Sequence, residues 1–146
     1  MIFGKKQYRE EEILNIGLDF SMEFGKHWLE PIQKRLSKKI PYLTQEELDN
    51  YNAVCEKTRD DGLFILMRIL EEIEEDNSMT SDELFNSFKK VIIDKYNWIN
   101  KKNLNHLYSQ GRYYAWKDGI GTGKIIEYSL TSAFIRLFSA VAKNSR

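Results

Sequence analysis

One cysteine, two prolines and no purely apolar run longer than five residues set the first limits on this 146-residue chain. A lone cysteine, Cys55, can form no intramolecular disulfide and no cysteine-rich zinc site. The longest apolar run, LFILM (Leu63–Met67), is far short of the ~20 residues that span a bilayer. The opening MIFGKKQYREEE lacks the apolar stretch of about 7–15 residues that a signal peptide requires. No Pro/Gly-rich linker, internal repeat or low-complexity tract divides the chain, so a single helical domain over 1–146 is expected. Residues 1–8 are read as a disordered tail and 143–146 as a frayed end. These absences point to a soluble cytoplasmic protein with no membrane partner.

Net charge is also missing: 22 basic residues balance 22 acidic ones. The balance hides a segregation. From Glu46 to Glu83 there are thirteen Asp/Glu against three Lys/Arg, whereas Lys95 to Lys124 holds six Lys/Arg and one Asp. Either the two segments compensate each other in the fold, or one of them faces a charged partner.

What is present is helical periodicity. Ile13, Gly17, Phe20, Phe24, Trp28, Ile32, Leu36 and Ile40 recur at steps of three or four, the stripe of one helix face. Pro31 should break this run and start a second segment that Pro41 ends. LTQEEL and MTSDEL each write a capping box, with Thr44 and Glu47 in the first and Thr80 and Glu83 in the second. The first opens a long central helix to about Glu75, with a place for a bend at Asp60–Gly62. The second opens a helix to about Tyr96 that turns Leu84, Phe85, Phe88, Val91 and Ile92 inward. Asn100 caps a further helix, and a last one is expected from Thr122 to Ala142. No convincing period-2 strand is found. The expected fold is all-α, a bundle of five or six helices around a long central one.

KDGIGTGKII (Lys117–Ile126) invites a nucleotide-binding reading and does not sustain it. A P-loop needs G-x-x-x-x-G-K-[ST] after a strand. Here Ile125 occupies the place of the metal-binding hydroxyl and Asp118 that of the first glycine. A connector is the better reading: Gly119 ends a helix in left-handed conformation, and Thr122 caps the next. Glu23, His27 and Glu30 have metal-like spacing but no second Glu-x-x-His to complete a di-iron set. Cys55 reads as a small core hydrophobe. No catalytic, cofactor or metal residue is assigned.

The densest feature runs from Tyr96 to Gly119. Six of the nineteen aromatic residues fall there, interleaved with Lys101, Lys102, His106, Arg112 and Lys117. Tyrosine, tryptophan and arginine dominate interface hot spots. Lys101, Lys102, Tyr108, Arg112, Tyr113 and Trp116 are therefore the candidate partner-binding residues, unless the rings fill the core. Gly111 would let another backbone or a ligand come close. The leading functional expectation is a non-catalytic protein that recognises another protein. The alternative is a nucleic-acid-binding module using the basic 95–124 segment, and a third is a small-ligand or metal enzyme around Glu23, His27 and His106.

Overall fold

A computed structural model of the chain describes residues 6–126. Its elements are α1 (Glu10–Ser21), a 3₁₀ turn (Gly25–His27), α2 (Gln33–Lys39), α3 (Gln45–Glu71), α4 (Ser81–Lys95) and α5 (Lys101–Lys117). Two-residue strands β1 (Met79–Thr80) and β2 (Ile125–Ile126) pair in parallel. The fold is all-α, with α3 packed against α1, α2, α4 and α5. Its core gathers Leu18, Ile32, Leu36, Leu66, Leu84, Phe88, Ile92 and Leu107 from all five helices.

The capping boxes sit where their spelling places them. Thr44 Oγ1 accepts from Glu47 N at 3.1 Å, and the Glu47 carboxylate accepts from Thr44 N at 2.9 Å. Thr80 and Glu83 repeat the exchange at α4, and Asn100 Oδ1 accepts from Asn103 N to open α5. Thr44→Ala and Thr80→Ala should each lower stability by roughly 0.5–2 kcal/mol, read as a lower denaturant midpoint. Unchanged midpoints in both would mean that these caps do not hold the helix ends.

Two close crossings explain three glycines. A Cβ on Gly62 would lie 2.4 Å from Leu107 Cδ2, and one on Gly111 would lie 2.5 Å from Leu66 Cδ2. Each of α3 and α5 therefore offers a notch to a leucine of the other. Gly62 lies within an unbroken α3. On α1, Gly17 makes room for Cys55, whose Sγ would lie 2.7 Å from an added Cβ. Cys55 is fully buried, and desolvation pushes its thiol up to about 12.

Three sequence expectations need correction. The break after α1 is longer than Pro31 alone requires: regular helix stops at Ser21 and resumes at Gln33. Gly25 takes φ +87 within it, so Phe24 and Trp28 leave the core stripe. Val91 points outward from α4 rather than inward. The last helix does not begin at Thr122, which lies in a turn, and Ile125–Ile126 are extended. Gly123, at φ +81, turns the chain so that Lys124 O accepts the N–H of Met79 at 2.8 Å. The rest of that expected helix, the 143–146 terminus and residues 1–5 of the expected tail lie outside the described residues. Tyr8, near the end of that tail, is half-buried and donates its N–H to the Tyr42 hydroxyl at 3.0 Å.

Candidate functional site

The glycine loop is built as a connector. Gly119, Gly121 and Gly123 all have positive φ, which glycine adopts without steric penalty. Lys124, which a phosphate site would aim at its ligand, donates from Nζ to Ile73 O at 2.8 Å, just past the end of α3. A cation beside the orphan carbonyls of a helix C-terminus is a favourable structural arrangement. Millimolar ATP or GTP should therefore leave the melting temperature unchanged. A ligand at 100 times its Kd would add about 2.7 kcal/mol, so an upward shift lost in Lys124→Ala would overturn this assignment.

The six candidate residues of α5 do not share one surface. Tyr108 and Arg112 turn towards α4. Arg112 Nη1 donates to Ser81 Oγ and to the Tyr108 hydroxyl, both at 3.2 Å, with its guanidinium 5.9 Å from the Tyr108 ring centre. The cation–π contact stays within α5, and the bonds of Arg112 and Tyr108 to Ser81 tie the helix to the start of α4. Lys101 is exposed at the first turn of α5. Lys102, Tyr113 and Trp116 instead fall on the outer stripe, together with His106, Ser109 and Lys117, at the helical spacing of neighbours.

A second segment completes that stripe: the irregular connection between α1 and α2. Phe24 stacks on Trp28 at 5.3 Å and meets Tyr113 edge-on at 6.3 Å; Trp28 stacks on Tyr114 at 5.7 Å. Tyr113 lies 6.2 Å from Trp116. Despite these contacts Phe24 is 54% exposed, Tyr113 47% and Trp116 70%. Leu29 is 58% exposed and holds φ +63. With Glu30 N donating to His27 O at 3.0 Å, it occupies the turn position that glycine normally fills. An exposed leucine in strained backbone contributes nothing to the core.

This connection is held firmly although it is not helical. Arg35 donates to Phe20 O at 2.8 Å and Glu30 O at 2.9 Å, and pairs with Glu23 at 3.0 Å. Buried Arg59 donates to Ser21 O at 3.1 Å and lies over the Trp28 ring. Gln110 Nε2 donates to Met22 O. Carbonyls that the end of α1 leaves without helical partners are thus taken by side chains of α2, α3 and α5. Glu23 and His27 do not converge: Glu23 pairs with Arg35, and His27 Nδ1 lies 2.7 Å from Glu30. His106 lies on α5, its Nδ1 3.9 Å from Asp19.

Phe24 and Tyr113 wall an open, mainly apolar groove of about 390 Å³, together with His106, Ser109 and Gln110. Gln110 is only 2% exposed, and its Oε1 has no hydrogen-bond partner among the described residues. The acidic and basic segments meet in an ion pair at Asp61 and Lys95, 2.9 Å apart. Among the described residues no helix is long and apolar enough to cross a membrane. Compared with models of known protein families, with curated proteins and with solved structures, the chain matches none.

Phe24, Trp28 and Leu29 were missed by periodicity, which counts the first two as core. Gly25, inside the run, is the sequence signal that the helix does not continue through it; α1 has already ended at Ser21. Arg35, Arg59 and Gln110 carry no local signal, because their partners lie 15, 38 and 88 residues away.

Proposed function

We propose that this protein is a non-catalytic recognition module that binds another protein through the outer stripe of α5 and the connection after α1. The carrying observation is the ring cluster of Phe24, Tyr113 and Trp116, with Leu29 also exposed on the connection, all about half exposed or more, on segments fixed by buried side chains. Scattered exposed apolar residues need no explanation, but a contiguous patch of this kind marks interaction surfaces. Aromatic anchors on a rigid support lose little conformational freedom on binding.

Nucleic-acid binding along the basic 95–124 segment has less support. Arg112 is engaged with Ser81 and Tyr108, and Lys124 with Ile73, so two of its cations do not line an open phosphate track. The test is affinity capture from the source cells with the wild type and with Tyr113→Ser/Trp116→Ser. A partner retained by the wild type and lost with the double variant supports the reading. Identical retained proteins, or retention of nucleic acid alone, would refute it.

A further inference from the structure

The groove walled by Phe24 and Tyr113 has a size and a charged frame that narrow its occupant. Large side chains carry about 150–250 Å² each, so the exposed fractions of Phe24, Leu29, Tyr113 and Trp116 amount to roughly 450 Å². A stable interface between two folded subunits takes about 800 Å² from each, so a second copy of this chain would need more surface than the patch offers. A short segment carrying one or two anchors matches it.

The frame is basic. Lys102 stands one helical turn before His106, and Lys117 one turn after Tyr113, so the two positions flank the groove's residues along α5. Both are exposed. Lys26, also exposed, follows Phe24 by two residues. From Lys101 to Lys117 the helix holds four Lys/Arg and no carboxylate. The acid facing this end is Asp19, 3.9 Å from both Lys102 Nζ and His106 Nδ1. Lys117 makes no ion pair among the described residues. Carboxylates on an incoming segment would meet this charge, whereas a basic segment would be repelled.

Resting on the recognition reading above, we propose that the groove receives a bulky apolar side chain from a short acidic segment of another protein, with Lys102 and Lys117 pairing its carboxylates. The anchor lies against the Phe24 and Tyr113 rings, in the groove that they wall with His106 and Ser109. The aromatic rings favour a peptide over stacked bases, because Phe24, Trp28 and Tyr114 already stack on one another.

The test is selection of a displayed library of random peptides on the full chain. Enriched peptides should join Trp, Phe, Leu or Met to two or more Asp/Glu. Their affinity should fall at least tenfold in Phe24→Ser or Tyr113→Ser, as for a hot-spot anchor. It should fall severalfold in Lys102→Ala/Lys117→Ala and with rising salt. Both lysines are exposed, so that variant keeps the test decisive if Phe24→Ser fails to fold. Neutral or basic peptides that still require Tyr113 would overturn the acidic partner while leaving the recognition reading intact. Acidic peptides indifferent to Tyr113 and Phe24, or no enrichment at all, would overturn the groove as a peptide site. Displacement of the peptides by a single-stranded oligonucleotide would overturn both.

Discussion

Gly111→Ala is expected to destabilise this protein, although glycine to alanine in a helix interior ordinarily stabilises by roughly 0.5–1 kcal/mol. The sign reverses because the new methyl would sit 2.5 Å from Leu66 Cδ2 and 3.3 Å from its Cβ. The contact involves the base of the leucine side chain as well as its tip, so rotation alone does not relieve it. Overpacking of this kind costs typically 1–3 kcal/mol. Leu66→Ala alone should cost about 2–5 kcal/mol by leaving a cavity in the fully buried core. Combined, the two changes should cost less than their sum, since the methyl occupies part of the space that Leu66 leaves. A double-mutant cycle in denaturant reads that coupling directly. A stabilising Gly111→Ala, or strictly additive effects, would mean that α3 and α5 do not cross at this notch.

Asp61 should make stability fall with acid more steeply than its exposure alone would suggest. Its carboxylate accepts from Lys57 Nζ at 2.7 Å and from the Tyr96 hydroxyl, and pairs with Lys95 Nζ at 2.9 Å. Partial burial pushes the group up, but the hydrogen bonds from Lys57, Tyr96 and Lys95 outweigh it and hold the carboxyl well below its ordinary value of 3.8. A carboxylate lowered on folding contributes its full stability above the unfolded value and loses it as pH falls through the folded one. The contribution is therefore present above about pH 4 and disappears as the pH drops below that range. Lys57 and Lys95 are both more than half exposed, so solvent screens their share. Asp61→Asn should lower stability at neutral pH by about 1 kcal/mol or more, hydrogen bonds to a charged group being worth about 1.5–3 kcal/mol before solvent screening. It should also flatten the stability curve below pH 4. An unchanged acid limb in Asp61→Asn would show that other carboxylates set it.

Much of the fold was legible because its signals are local. The Thr44 and Thr80 boxes and the Asn100 cap declare themselves within four residues; the apolar run at Leu63–Met67 falls on α3, where Leu66 is buried and Phe64 is 62% exposed. The site was legible only in part. Periodicity placed Tyr113 and Trp116 on α5, but it could not say which of its rings face solvent. Tyr108 and Arg112 share their spacing with exposed residues, and only the position of Ser81 on α4 turns them inward. Phe24 and Trp28 continue a perfect helical stripe, yet α1 stops at Ser21 and Gly25, at φ +87, lies in the irregular connection that carries them. The exposed patch arises where this broken stripe meets α5, a contact between segments almost ninety residues apart that no local pattern encodes.

The central claim, that the rings of Phe24, Tyr113 and Trp116 meet another protein, is tested most directly by photo-cross-linking in the source cells. A benzophenone-bearing phenylalanine would replace Tyr113 in one variant and Val91 in another; Val91 is similarly exposed but stands on α4. The account predicts a discrete heavier adduct with a second protein from position 113 and none from position 91. No adduct at position 113, or the same adducts from both positions, would contradict it.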